Sequence, residues 1–147
     1  MSNELDEQEL ARFAEQYVAL WNEPDAAARR ERIRRLWSED GAQVLVDPPE
    51  AMREALAALS FPIPTVEIRG HEALAKRVDR AYDEFVAPGE HLFASKEPAV
   101  LLSVNLIGLS WHMVTHADGA VVGGGYDVIA LDDDGRIRWD HQYIGVA

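Results

Sequence analysis

The sequence predicts an α+β fold in a single domain over residues 1–147, with helices first and antiparallel strands after them. Two observations carry that reading. Up to about residue 85, apolar residues recur at three- and four-residue steps, the signature of amphipathic helices. From Ala99 onward they gather in long stretches broken by turn signals. A third observation bears on shape. Gly123-Gly124-Gly125 falls inside one of those stretches, where glycine marks a bulge or a sharp bend, so long strands can curve around the helices.

Leu10, Phe13, Ala14, Tyr17 and Trp21 form the stripe of the first helix. Asn22-Glu23-Pro24-Asp25 interrupts it, and Asp25 is placed to cap a second helix. That helix runs through ARRERIRRLW with Ile33, Leu36 and Trp37 on its buried side. Residues 43–46 read as a short strand stopped by Asp47-Pro48-Pro49. Residues 49–64 hold good helix formers followed by Phe61-Pro62-Ile63-Pro64, which cannot be regular structure. This segment is read as an excursion able to lie over a pocket as a lid. A third helix starts after Gly70, carries Leu74, Val78, Ala81, Tyr82 and Phe85 on one face, and ends before Pro88-Gly89. Strands are expected at roughly 99–116, 120–131 and 136–145, with turns at Ala117-Asp118-Gly119 and Asp132 to Gly135.

The 147 residues suit one domain, and 48% hydrophobic content is enough to fill its core. A formal net charge of −12 argues against nucleic acid or an anionic membrane as partner, since both need a basic face. There is no cysteine, hence no disulfide, thiolate nucleophile or cysteine metal site. His71, His91, His112, His116 and His141 lack metal-ligand spacing. Walker, Rossmann, nucleophile-elbow and metalloprotease motifs are absent. Neither metal nor cofactor is therefore expected. The opening MSNELDEQEL has no apolar signal core, and no run approaches the roughly 18 apolar residues of a membrane span. A soluble, cytoplasmic protein is the expectation.

Strand alternation singles out several polar residues. Asp127 shares a face with Ile129 and Leu131, so it is carried toward the core, where burial favours the neutral acid. In the last strand, loop length decides the face. A two- or four-residue loop sets Asp140, Gln142 and Ile144 beside Asp127; a three-residue loop sets His141 there, with Trp139 and Tyr143. If Asp140 neighbours Asp127, one of the two must hold a proton. On the long strand Ile107, Leu109, Trp111 and Met113 share a face, open both to pocket lining and to plain core packing. His112 lies opposite, on the face of Leu102, Val104, Leu106 and Val114.

The element order and the motifs QYVALWNEPD, LWSEDGAQVLVDP, GHEALAKRV and DVIALDDDGRIRWDHQYI resemble the nuclear transport factor 2-like superfamily over nearly the whole chain. Within it, the likeness is to SnoaL-like polyketide cyclases and ketosteroid isomerases. The resemblance implies a cone, a curved antiparallel sheet wrapped around three helices in the cystatin-like, SnoaL-like α+β barrel. It also implies a deep apolar pocket for a hydrophobic small molecule and a homodimer formed through the outer sheet face. In ketosteroid isomerases a first-helix tyrosine, an aspartate before proline and a penultimate-strand aspartate form the site. The matching positions are Tyr17, Asp47 and Asp127. The resemblance thus implies Asp47 as general base, Tyr17 and Asp127 polarising a carbonyl, and Asp140 as modulator. It places Leu109, Trp111, Met113, Ile129, Gln142 and Ile144 on the pocket wall. The chain departs from those isomerases where further tyrosines extend the network: Trp37 stands in one such region, and Tyr82 falls about a turn from the other. The fold leaves open an isomerase or cyclase, a noncatalytic ligand-binding or dimeric interaction domain, and a hydrolase that activates water with Asp127 and Asp140. The arginine that accompanies paired acids in the superfamily's epoxide hydrolases is not evident from sequence.

Overall fold

Helix α1 spans Glu7–Asn22. It begins with a capping box: Glu9 N–H donates to Asp6 Oδ1 at 2.7 Å, and Asp6 N–H donates to Glu9 Oε1 at 3.2 Å. It buries Ala14, Tyr17, Leu20 and Trp21, the expected stripe continued by Leu20. Helix α2, Ala26–Leu36, is capped by Asp25, which accepts from Ala28 N–H at 2.9 Å. These helices come from a computed structural model, which describes residues 5–46, 54, 58 and 66–145. The excursion read at 49–64 lies outside the described residues apart from 54 and 58, and so does Asp47.

The strands are β1 (Trp37–Leu45), β2 (Val66–Arg69), β3 (His91–Ser95), β4 (Val100–Ser103), β5 (Leu106–Thr115), β6 (Val121–Leu131) and β7 (Ile137–Ile144). Helix α3 spans His71–Ala81 and continues as a π-helical turn over Tyr82–Val86. The order across the sheet is β2-β1-β7-β6-β5-β3, with β4 also pairing β5. Among the described residues, these elements make an α+β domain of three helices and a curved sheet that does not close.

Three features differ from the sequence expectation. The sheet is mixed, because β1 and β7 run parallel. Hairpins force antiparallel pairing only between consecutive strands such as β5, β6 and β7, whereas β1 and β7 lie at opposite ends of the chain. The stretch read as one strand over 99–116 is a hairpin, turning at Val104-Asn105 with Ser103 opposite Leu106. No glycine or proline marks that turn. Asn105 secures it by donating from Nδ2 to Leu131 O at 3.0 Å. Strands β2 and β3 are short and were not expected.

Ile107, Leu109, Ile129, Leu131 and Ile137 project from the concave face onto Leu20, Ile33, Leu36, Leu74 and Val78 of the helices, all buried. Each fully buried aliphatic side chain contributes about 1.5–3 kcal/mol. A buried cation ties α2 to α3. Arg29 Nε donates to Asp79 Oδ1 at 2.9 Å, its Nη1 donates to Glu23 O at 2.8 Å, and its guanidinium lies 4.6 Å from the centre of the Tyr82 ring. Removing one partner of such a pair leaves a charge stranded in the interior. The Asp79 side chain is 27% exposed, which lessens the effect. Asp79→Ala should therefore lower stability by about 2 kcal/mol, measured as a shift of the urea midpoint at constant slope.

Candidate functional site

Six elements send polar side chains into the apolar space between helices and sheet. Tyr17 comes from α1, Gln43 from β1, Arg77 from α3, Trp111 from β5, Asp127 from β6, and Asp140 and Gln142 from β7. Local rules explain most of these positions. Tyr17 stands on the buried stripe of α1. Asp127 alternates with buried Ile129 and Leu131.

The placement of β7 turns on one extra residue. Leu131 pairs with Ile137, so residues 132–136 form the connection, an odd length that by itself would face His141 toward Asp127. The register then slips: Ala130 pairs with Trp139, and Arg138 is left over as a β-bulge. The slip restores Asp140 and Gln142 to the inner face, opposite Ile129 and Asp127. His141 faces outward, its ring stacked at 5.9 Å on that of Trp139.

The centre of the site is a triad of oxygens. The Tyr17 hydroxyl lies 2.8 Å from Asp127 Oδ2 and 2.5 Å from Asp140 Oδ2. One phenolic proton cannot serve two carboxylates, so the second contact requires a proton on a carboxyl group. Asp140 carries it. Burial, and next the charge of Asp127 and a hydrogen bond to it, push the Asp140 pKa well above the ordinary carboxylate range, against the opposing hydrogen bonds of Tyr17 and Gln43. Asp140 Oδ1 is buried with no partner among the described residues, a condition far cheaper for a neutral acid than for an anion. Burial, and then the nearby charge of Asp127, raise the Tyr17 phenol well above its usual value, so it too stays protonated. Two protons are thus held among three oxygens.

Asp127 is well supplied with donors. Trp111 Nε1 donates to its Oδ1 at 2.8 Å, and Gln142 Nε2 lies 3.3 Å from both carboxylate oxygens. Gly125, the cross-strand partner of Trp111, makes the indole position possible: a Cβ there would sit 2.5 Å from the Trp111 ring. The glycine run also borders a bulge, where pairing slips between Met113 with Gly123 and Val114 with Val121.

Gln43 and Arg77 were not among the expected site residues. Gln43 Nε2 donates to Asp140 Oδ2 at 3.1 Å. Arg77 Nε donates to Gln43 Oε1 at 3.3 Å, and Arg77 Nη2 donates to Gln142 Oε1 at 3.1 Å. Each glutamine therefore accepts from the guanidinium and donates to one acid. The sequence held a signal for both. Arg77 falls on the same stripe of α3 as Leu74, Val78 and Ala81, a charged residue on an apolar face. Gln43 sits two positions before the buried Leu45 on the same side of β1.

Tyr17, Val18, Trp21, Arg77, Ala81, Phe85, Phe93, Trp111 and Gln142 wall a narrow cleft. It encloses about 50 Å³. Asn22 holds Phe93 in the wall by a two-bond clamp on its backbone, donating to Phe93 O at 2.7 Å and accepting from Phe93 N–H at 2.9 Å. Of the residues expected on the pocket wall, Trp111 and Gln142 line this cleft. Leu109 and Ile129 lie in the closed core. Met113 and Ile144 are half-buried and stand off the cleft wall. Asp127 and Asp140 are fully buried behind Tyr17 and Gln142.

No protein-family model and no curated protein matches the sequence. Solved structures do match it. A candidate isomerase of the SnoaL-like family from Agrobacterium tumefaciens is 26% identical with a TM-score of 0.71, covering 92% of this chain and 96% of its own. A candidate polyketide cyclase from Sinorhizobium meliloti is 12% identical with a TM-score of 0.59, covering 94% and 99%. An NTF2-like protein of unknown function from Exiguobacterium is 17% identical with a TM-score of 0.58, covering 92% and 99%. The chain shares its fold with nuclear transport factor 2-like and SnoaL-like proteins. No described helix is long and apolar enough to cross a membrane.

The raised pKa of Asp140 has a signed consequence. A group that binds its proton more tightly when folded contributes stability that is fully present below the unfolded value of about 3.9 and is lost as pH climbs through the folded value. Asparagine imitates the neutral acid and does not titrate. Asp140→Asn should therefore gain stability relative to the parent as pH rises above about 4, measured as the difference in Tm between the two proteins from pH 4 to 8.

Proposed function

We propose that this protein is a cofactor-independent enzyme that moves a proton beside the carbonyl of a hydrophobic small molecule, as an isomerase or cyclase. The observation that carries the reading is the Tyr17 hydroxyl on the cleft wall, 2.5 Å from a protonated Asp140. A neutral phenol backed by a neutral carboxylic acid is a preorganised donor for an oxygen that gains negative charge, and it works best where water is excluded. For Tyr17 to donate to a substrate oxygen, it exchanges Asp127 for that oxygen. Trp111 and Gln142 continue to satisfy Asp127 when it does. Asp47 is the proposed base, by resemblance to the ketosteroid isomerases. The likeness to a candidate isomerase and a candidate polyketide cyclase agrees with this class of chemistry.

A second reading, a noncatalytic binding domain, is favoured by one observation: Tyr17 spends its only proton within the protein. The water-activating hydrolase has less support, because Asp127 and Asp140 lie behind other side chains and do not line the cleft.

The test is a screen of apolar ketones for deuterium exchange beside the carbonyl. With an exchanging ketone in hand, Asp47→Asn should lower kcat by about 10²–10⁴ while leaving ligand affinity nearly unchanged. Tyr17→Phe should cost about 10²–10³ in kcat. Exchange that persists unchanged in Asp47→Asn removes Asp47 as the base. Exchange with no ketone at all moves the weight to the binding domain.

We also propose a homodimer through the convex sheet face. Support comes from the apolar side chains left in water on β4, β6 and β7 and in the β4–β5 turn: Val100, Leu102, Val104, Val122 and Tyr143. Analytical ultracentrifugation should find a dimer at micromolar concentration; a monomer alone refutes the assembly.

A further inference from the structure

We infer that Arg77 is an anion anchor, and that the molecule the cleft accepts carries a carboxylate. This deepens the proposal of a small-molecule cleft and rests on it.

Among the described residues, Arg77 is the one charged side chain in the cleft wall. Its company there is aromatic and aliphatic: Trp21, Phe85, Phe93, Trp111, Val18 and Ala81. The guanidinium lies 5.3 Å from the centre of the Trp21 ring, which holds it against the aromatic face. It forms no ion pair among the described residues. Its two hydrogen bonds go to neutral amide oxygens, those of Gln43 and Gln142, and its remaining N–H groups have no acceptor there. A cation in apolar surroundings with only neutral partners is under-compensated, and the cheapest remedy is a bound anion.

Two other observations point the same way. The acids nearest Arg77 are already committed: Asp140 is neutral, and Asp127 is satisfied by Tyr17, Trp111 and Gln142. Glu84 adds to the field at Arg77 without touching it. In addition, the indole N–H of Trp21, which walls the same cleft, is buried with no acceptor among the described residues. An occupant rich in acceptor oxygen answers both vacancies, and a planar carboxylate matches the guanidinium fork.

The net charge of −12 opposes this selection at long range. That field is screened over about 8–10 Å at physiological salt, so the choice of an anion is made by contact within the cleft. At about 50 Å³ the cleft is narrow, so small one-ring acids are the suitable probes, and their entry requires the wall side chains to move apart.

The experiment compares benzoate with benzamide, and cyclohexanecarboxylate with its amide, by titration calorimetry and thermal shift. Each pair has the same shape and differs in charge. The acids should bind the parent protein about tenfold more tightly than the amides. Arg77→Gln, which keeps hydrogen bonding to the two glutamines, should bring the ratio close to one, and Arg77→Lys should keep part of it. Circular dichroism and tryptophan fluorescence establish that the variants are folded. The parent comparison stands even where a variant is not. Equal binding of acid and amide overturns the proposal. So does a preference that survives Arg77→Gln, or no binding by any probe up to about 10 mM, a level that would catch even millimolar affinity. The readout is equilibrium binding and needs no turnover. A failed deuterium-exchange screen therefore leaves it standing, and loss of the carboxylate preference leaves the proton-transfer reading intact.

Discussion

The organisation of this domain depends on one constraint: two protons shared among the oxygens of Tyr17, Asp127 and Asp140, in a space that water does not reach. Two ionised carboxylates and a phenol packed this closely would repel strongly at low dielectric. The fold meets the constraint by keeping one acid neutral and giving the other several donors. Those donors fix the geometry of every element that brings them. The α1 stripe must present Tyr17, β5 must present Trp111 over a glycine, and β7 must present Asp140 and Gln142 on one face. A one-residue change in β7 would substitute His141 and Tyr143, and the cluster would be lost.

Arg77 completes the electrostatics from one side chain away. A direct ion pair with Asp127 would tie up both charges. Gln43 and Gln142 stand between, each orienting its carbonyl to the cation and its amide to an acid. The guanidinium reaches both acids only through these amide dipoles, which leaves N–H groups on the cation for something else. Such a network is costly when incomplete, because each missing partner strands a buried group. That cost makes it specific: rearranging one member disturbs all the others.

Much of this was legible in the sequence where local rules dominate. The α1 stripe, the Asp25 cap and the alternation that turns Asp127 inward follow from periodicity and capping alone. The face of β7 was not legible from local rules, although the family resemblance turns Asp140 and Gln142 inward as found. It depends on loop length plus a bulge at Arg138, and no residue type at that position announces an extra residue in the ladder. The β4–β5 turn was hidden for a similar reason, since Val104-Asn105 lacks the glycine that such turns commonly use. The parallel pairing of β1 with β7 joins the first strand to the last, which no local signal reports. Arg77 is a different kind of miss. Its position on the apolar stripe of α3 was visible, but an arginine there also suits a snorkelling side chain, and only the glutamines on β1 and β7 distinguish the two.

The cleft and the cluster are separate layers, and the separation bears on how chemistry can be done here. Asp127 and Asp140 have no exposed surface, so neither meets a ligand directly; Tyr17, Arg77, Trp111 and Gln142 are the members that reach the cleft wall. A ligand oxygen therefore senses the acids through the phenol. In the proton transfer proposed above, charge developing on that oxygen would draw the phenolic proton toward it, and the protonated Asp140, 2.5 Å away, would compensate the phenol from behind. Because Asp140 is neutral, this support adds no negative charge beside the developing oxyanion. An ionised Asp140 would oppose the same step. On that proposal, the burial that raises the Asp140 pKa also prepares Tyr17 as a donor, at a cost in stability at the centre of the core.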